Sequence, residues 1–104
     1  MSGLRRHPLV ERDIESYAHW YEERSPGLGT QFVEEVHRVF EVITGNPKRY
    51  GVRLGQWRRA NLQRFPHAVF YQLYGEEPVI FAVLHASRDH RTILEGRISG
   101  EPSG

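Results

Sequence analysis

Hydrophobic residues in this chain change their period once, near Pro47, and that change decides what the chain can fold into. Before it, Ile14, Tyr17, Ala18 and Tyr21 recur at helical spacing, and Phe32, Val36, Val39, Phe40 and Ile43 do so again. After it, Trp57, Arg59, Asn61 and Gln63 alternate with Arg58, Ala60, Leu62 and Arg64 in the period of a strand. Ala68–Tyr74 and Val79–His85 are rich in the β-branched and aromatic residues that suit a pleated surface.

Punctuation residues sharpen these segments. Leu4-Arg5-Arg6 is a short edge strand or a frayed end. Pro8 suits the first turn of a helix, where its missing N–H costs nothing, and Glu11, Asp13 and Glu15 suit the positive end of its dipole. Arg24-Ser25-Pro26-Gly27 ends that helix, and about four residues later a second begins, so the two pack as an antiparallel hairpin. Gln31, Glu34, Glu35, Arg38 and Glu41 are expected on its wet face. Gly45 is expected as a left-handed cap, and Pro47 forbids continuation. Pro66 separates two strands, and Gly75-Glu76-Glu77-Pro78 joins the last two as a hairpin. Helices followed by a meander predict an α+β fold, an N-terminal helical hairpin packed on an antiparallel β-sheet. One domain is expected over 1–97, with 98–104 as a flexible tail rich in Gly, Pro and Ser.

At 104 residues the length fits a single domain, and the absence of cysteine excludes disulfides and thiolate metal sites. No run approaches the roughly 18 apolar residues of a membrane span, and no signal-peptide pattern opens the chain. A soluble cytoplasmic protein without membrane partners is expected. The net charge of +1 conceals a strong asymmetry. From Val42 to Gly75 there is no Asp or Glu, while Lys48, Arg49, Arg53, Arg58, Arg59 and Arg64 all fall there. Such a stretch either forms an anion-binding face or is a solvated strand surface that happens to lack acids.

No histidine pair has metal-ligand spacing, and no serine or cysteine nucleophile motif is present, so neither metal nor cofactor is expected. Gly27-Leu28-Gly29 lacks the preceding strand that a dinucleotide loop requires. His67 is expected to be a hydrogen-bonding residue at a strand start and His90 to be exposed. Trp20 and Trp57 read as core or interface packing.

Several features in order resemble the RelE/ParE superfamily of toxin–antitoxin toxins, in particular its ParE-like, plasmid-stabilisation branch. They are Glu11-Arg12-Asp13-Ile14 with Tyr17, Trp20 and Tyr21; Ser25-Pro26-Gly27-Leu28-Gly29 leading to Phe32; and Asn46-Pro47. Arg58-Arg59, Arg64-Phe65-Pro66-His67-Ala68-Val69-Phe70-Tyr71, and Val83-Leu84-His85 with Arg88-Asp89 complete the pattern. The resemblance implies a β-α-α-β-β-β fold and a cognate antitoxin as partner. It also implies one of two mechanisms, poisoning of DNA gyrase or cleavage of mRNA on the ribosome.

A ribonuclease site needs cations for the phosphate and a group that moves protons near neutral pH, roles that Arg58, Arg64 and His85 could fill. Many ribonuclease-type relatives carry a late tyrosine, whereas this chain has none after Tyr74, and Ala68-Val69-Phe70 fills an expected basic position. The reading therefore favours a gyrase inhibitor without a catalytic residue, with mRNA cleavage as the alternative and a non-toxic binding module as the second. Arg53, Arg58, Arg59, Arg64, Arg88 and Arg91 are the expected target- or antitoxin-binding residues. Alternation along one strand would pair Arg58 with Arg64 and turn Arg59 to the opposite face.

Overall fold

The computed structural model describes residues 4–99. They form β1 (Arg5–Arg6), α1 (Val10–Arg24), α2 (Leu28–Gly45), β2 (Val52–Leu54), β3 (Trp57–Asn61), β4 (His67–Tyr74), β5 (Glu77–His85) and α3 (His90–Ile98). The fold is α+β, with the helical hairpin packed on one five-stranded sheet of order β1-β5-β4-β3-β2. β2 to β5 meander antiparallel as expected, but β1 runs parallel to β5, so the sheet is mixed. Two elements add to the expected order, the edge strand β2 and the helix α3. α3 takes in Ile98, the first residue of the expected tail; residues 100–104 of that tail lie outside the described residues.

The hairpin is fixed by chemistry at its turn. Gly27 adopts φ 90°, a left-handed conformation that glycine enters without a Cβ clash. The Glu22 carboxylate accepts from Gly27 N and Gly29 N, both at 2.9 Å, so a side chain of α1 satisfies free amides at the start of α2. A Cβ on Gly29 would stand 2.5 Å from the Ala18 carbonyl oxygen, so this glycine sets how closely the helices approach. Gly45, by contrast, lies within α2 and is not left-handed; Asn46 ends the helix with φ −151°.

The sheet is covered unequally. One face meets the helical hairpin through Val10, Ile14, Phe32, Val36, Phe40 and Ile43 packed on Ala60, Val69, Tyr71, Ile80 and Val83. The other face holds Trp57, Phe70, Phe81 and Leu84, over which α3 lays Leu94 and Ile93. β1 pairs with only the start of β5, and side chains serve the strand's remaining outer edge. Val83 N donates to Asp13 Oδ2 at 2.9 Å and His85 N to Tyr17 Oη at 3.1 Å. Arg97 of α3 forks onto Asp13 at 2.7 and 2.8 Å and also donates to Phe81 O. Phe81 is the extra residue of a bulge, since Phe70 pairs with Ala82 and Tyr71 with Ile80.

At the β4–β5 hairpin, Tyr74 pairs with Glu77 and leaves a two-residue turn. Gly75 takes its first position at φ 68°, as a type II′ turn requires.

Candidate functional site

The expected binding arginines scatter into distinct settings. Arg58 points toward the helical side of β3 and donates to Tyr50 O at 2.8 Å, which ties down the segment before β2. Arg64 lies beyond the strand, because β3 ends at Asn61 and Leu62 N turns back to His67 O. Its guanidinium donates to Gln31 of α2. The expected pairing of Arg58 with Arg64 along one strand is therefore not realised. Arg91 is exposed on α3 and faces Glu95 one turn on, and Arg88 lies beside His85.

Arg53 and Arg59 do come together, joined by Arg49, which the arginine pattern of β3 had not singled out. The three line a cleft of about 410 Å³ with Tyr50, Gly51 and Asn61. Arg59 lies over the Phe70 ring at 5.5 Å while its Nε donates to Asn61 Oδ1 at 2.8 Å. Among the described residues no acid lines this cleft, so its positive charge has no carboxylate beside it there. Arg49 is brought there by the Asn46-Pro47 break, which turns the chain from α2 toward β2; composition showed the charge but not this convergence.

A second cleft, about 580 Å³, opens between α1 and the far end of β5. It is lined by Ser16, Tyr17, Trp20, Tyr21, Pro66, His67, His85, Ser87 and Arg88. Trp20 is 50% exposed and carries the Arg24 guanidinium 3.6 Å from one ring face, so it is not a core residue. Trp57 is buried.

His67 departs furthest from expectation. It is only 3% exposed, boxed by Tyr17 at 4.3 Å, Phe32 at 4.9 Å and His85 at 5.0 Å between ring centroids. Among the described residues neither ring nitrogen finds a hydrogen-bond partner, so its side chain is not the strand-start hydrogen bonder expected. Burial, with a smaller contribution from the facing His85, lowers its pKa to about 4. The ring is thus neutral at pH 7. His85 holds Ser87 N and Ser87 Oγ at its Nδ1, at 3.0 and 2.9 Å. His90, expected to be exposed, is half-buried against Phe70 and bonds His85 O through Nε2 at 2.9 Å.

The loop between the two clefts hangs on Glu35. This residue, expected in water, is 5% exposed, and its carboxylate accepts from the backbone N–H groups of Gln63 and Arg64. The loop passes through Leu62 and Phe65 in the core, and the carboxylate supplies the acceptors its turning backbone lacks. Among the described residues no group of three or more His, Cys, Asp or Glu is placed to hold a metal ion. No helix among the described residues is long and apolar enough to cross a membrane.

A helical hairpin over a meander, with an arginine-lined cleft beside the sheet, makes this a small α+β protein. Residues 4–90 match the family described as ParE toxin of type II toxin-antitoxin system, parDE, and the chain belongs to that family. The fold is similar to a chain of the chromosomal ParDE TA system from P. aeruginosa, with a TM-score of 0.70 at 16% sequence identity. That alignment covers 82% of this chain and 96% of the other. No curated protein sequence matches.

Proposed function

We propose that this ParE-family protein arrests growth by poisoning DNA gyrase, that a cognate antitoxin neutralises it, and that its arginine cleft belongs to the contact surface. The observation that carries this reading is the convergence of Arg49, Arg53 and Arg59 on one cleft that, among the described residues, has no acidic lining residue. A concave, positively charged surface raises the local concentration of an anionic partner, which DNA held by gyrase and an acidic antitoxin segment both are.

Cleavage of mRNA is the weaker reading on geometric grounds. It would need Arg58, Arg64 and His85 to converge on one phosphodiester. Arg58 is bound to Tyr50 O, Arg64 to Gln31, and His85 lines the cleft on the far side of the Leu62–Phe65 loop.

The test uses purified protein with purified gyrase and relaxed plasmid. Supercoiling is expected to fall with added toxin and to recover when the antitoxin is added first. Full supercoiling at saturating toxin contradicts the gyrase target. Unimpaired growth on expression without antitoxin would instead leave a non-toxic binding module.

A further inference from the structure

The cleft between α1 and the end of β5 stands apart from the arginine cleft and has a chemistry of its own. Its wall is aromatic, with Tyr17, Trp20 and Tyr21 from α1 beside Pro66. These rings brace one another and the core edge-on. Tyr17 packs on His67 at 4.3 Å, Tyr21 on Phe65 at 4.9 Å and Trp20 on Tyr21 at 5.1 Å between centroids. Two hydrogen bonds draw the polar end of the cleft against that wall, His85 N to Tyr17 Oη at 3.1 Å and Ala86 N to Pro66 O at 2.8 Å. We infer that this cleft binds a small planar aromatic carboxylate, with its ring against Tyr17, Trp20 and Tyr21 and its carboxylate on His85 and Arg88.

Three observations carry the inference. First, the cleft has hydrogen-bond donors to spare. Ser87 N donates to His85 Nδ1 at 3.0 Å, which makes that nitrogen the acceptor and places the proton of the neutral ring on Nε2. Among the described residues neither this Nε2, on a half-buried ring, nor the exposed Arg88 guanidinium has a partner. The Tyr17 hydroxyl accepts from His85 N and keeps its own hydrogen to donate. Second, among the described residues the lining has no Asp, Glu, Asn or Gln to receive a hydrogen from a ligand. A peptide segment brings backbone N–H groups that would go unmet here, whereas a carboxylate only accepts. Third, the cleft is about 580 Å³, the size of small-molecule sites. Trp20 is 50% exposed there, although Arg24 covers one face of its indole. His67 supplies packing only, since both its ring nitrogens are buried. The inference does not rest on the gyrase reading, and it is measured on the isolated protein, so each can fail alone.

The experiment is an NMR titration of the full chain with 2-naphthoate, read at the indole N–H resonances. The chain has two tryptophans, Trp20 in this cleft and Trp57 buried on the opposite face of the sheet, so one reports and the other is an internal control. Trp20→Phe assigns the two resonances. The Trp20 resonance is expected to shift saturably while that of Trp57 stays in place, with a Kd of about 1 mM or tighter, the value that ordinary ligand efficiency gives for a molecule of this size. Two analogues divide the contributions. 2-Naphthamide keeps the flat rings without the charge, and cyclohexanecarboxylate keeps the charge without a flat ring; each should bind about tenfold more weakly. Arg88→Gln should weaken naphthoate about tenfold and leave naphthamide unchanged. Arg38→Glu, an exposed position on α2 that does not line the cleft, should change neither. Circular dichroism checks that each variant is folded.

Three results overturn the inference. One is no saturable shift at Trp20 with naphthoate at about 10 mM, tenfold above the weakest Kd expected. Another is equal affinity for naphthoate and either analogue, which would remove the charge or the flat ring from recognition. The last is displacement of naphthoate, at equal concentration, by an Asp-Phe-Asp peptide with blocked ends, which would assign the cleft to a protein segment. Gyrase inhibition by a protein that binds no naphthoate would sink this inference alone.

Discussion

His67 and Glu35 show how two polar side chains came to be buried, and each carries a prediction. The unfolded chain binds a proton at His67 near the ordinary value of 6.5, whereas the folded chain resists until about pH 4. Above pH 6.5 the imidazole is neutral in both states and contributes nothing to pH dependence. As pH falls from 6.5 toward 4 the unfolded state is favoured, by up to about 3 kcal/mol once both values are passed. Denaturant titrations across this window should show stability falling with acid, and His67→Phe, which suits the surrounding rings, should flatten that fall. An equally steep fall in the variant would assign the acid sensitivity elsewhere. Glu35→Ala strands two backbone N–H groups in the loop between the clefts and should cost about 1–3 kcal/mol. Chemical denaturation checks it, and a change well below that range would mean water replaces the carboxylate without loss.

The elements were legible in the sequence wherever one rule governed them locally. The helical hairpin was readable because a helical period and the Pro26-Gly27 break point to the same boundaries. β4 and β5 were readable because β-formers flank a glycine turn. β2 was not, since its three residues become a strand only by pairing with β3. α3 was not, since it buries Leu94 alone, although Asp89 accepting from Thr92 N is the kind of cap a sequence can announce. Glu35 was misplaced because it occupies a position on the buried stripe of α2 that only the distant Gln63–Arg64 backbone explains. The site was half legible. The acid-free stretch announced a basic surface, but strand alternation chose Arg58 and Arg64, and the end of β3 at Asn61 removed that basis. Two contacts between elements are predicted to matter. Gly29→Ala forces the helices apart against a backbone oxygen and should cost about 1–3 kcal/mol in thermal or chemical unfolding. Asp13→Ala removes the acceptor that holds Arg97 and caps Val83 N, so amide exchange in α3 should quicken while α2 stays protected. Unchanged exchange in α3 would show that Leu94 packing alone holds it.

At the scale of the molecule, the helical hairpin spends its apolar faces on the sheet, and α3 covers part of the opposite face. What the fold leaves outward is a charge-asymmetric rim, with basic β2–β3 at one end and the aromatic cleft of α1 at the other. On the proposed gyrase reading, inhibition should follow the arginine cleft and not the total charge. The most direct measurement is plasmid supercoiling by purified gyrase in the presence of three proteins at equal concentration. These are the wild type, the Arg49→Glu, Arg53→Glu, Arg59→Glu variant, and the Arg12→Glu, Arg38→Glu variant. Inhibition by the wild type and the helix variant, with loss in the cleft variant while its fold is intact, is the predicted result. Equal inhibition by all three, or by none, would contradict it.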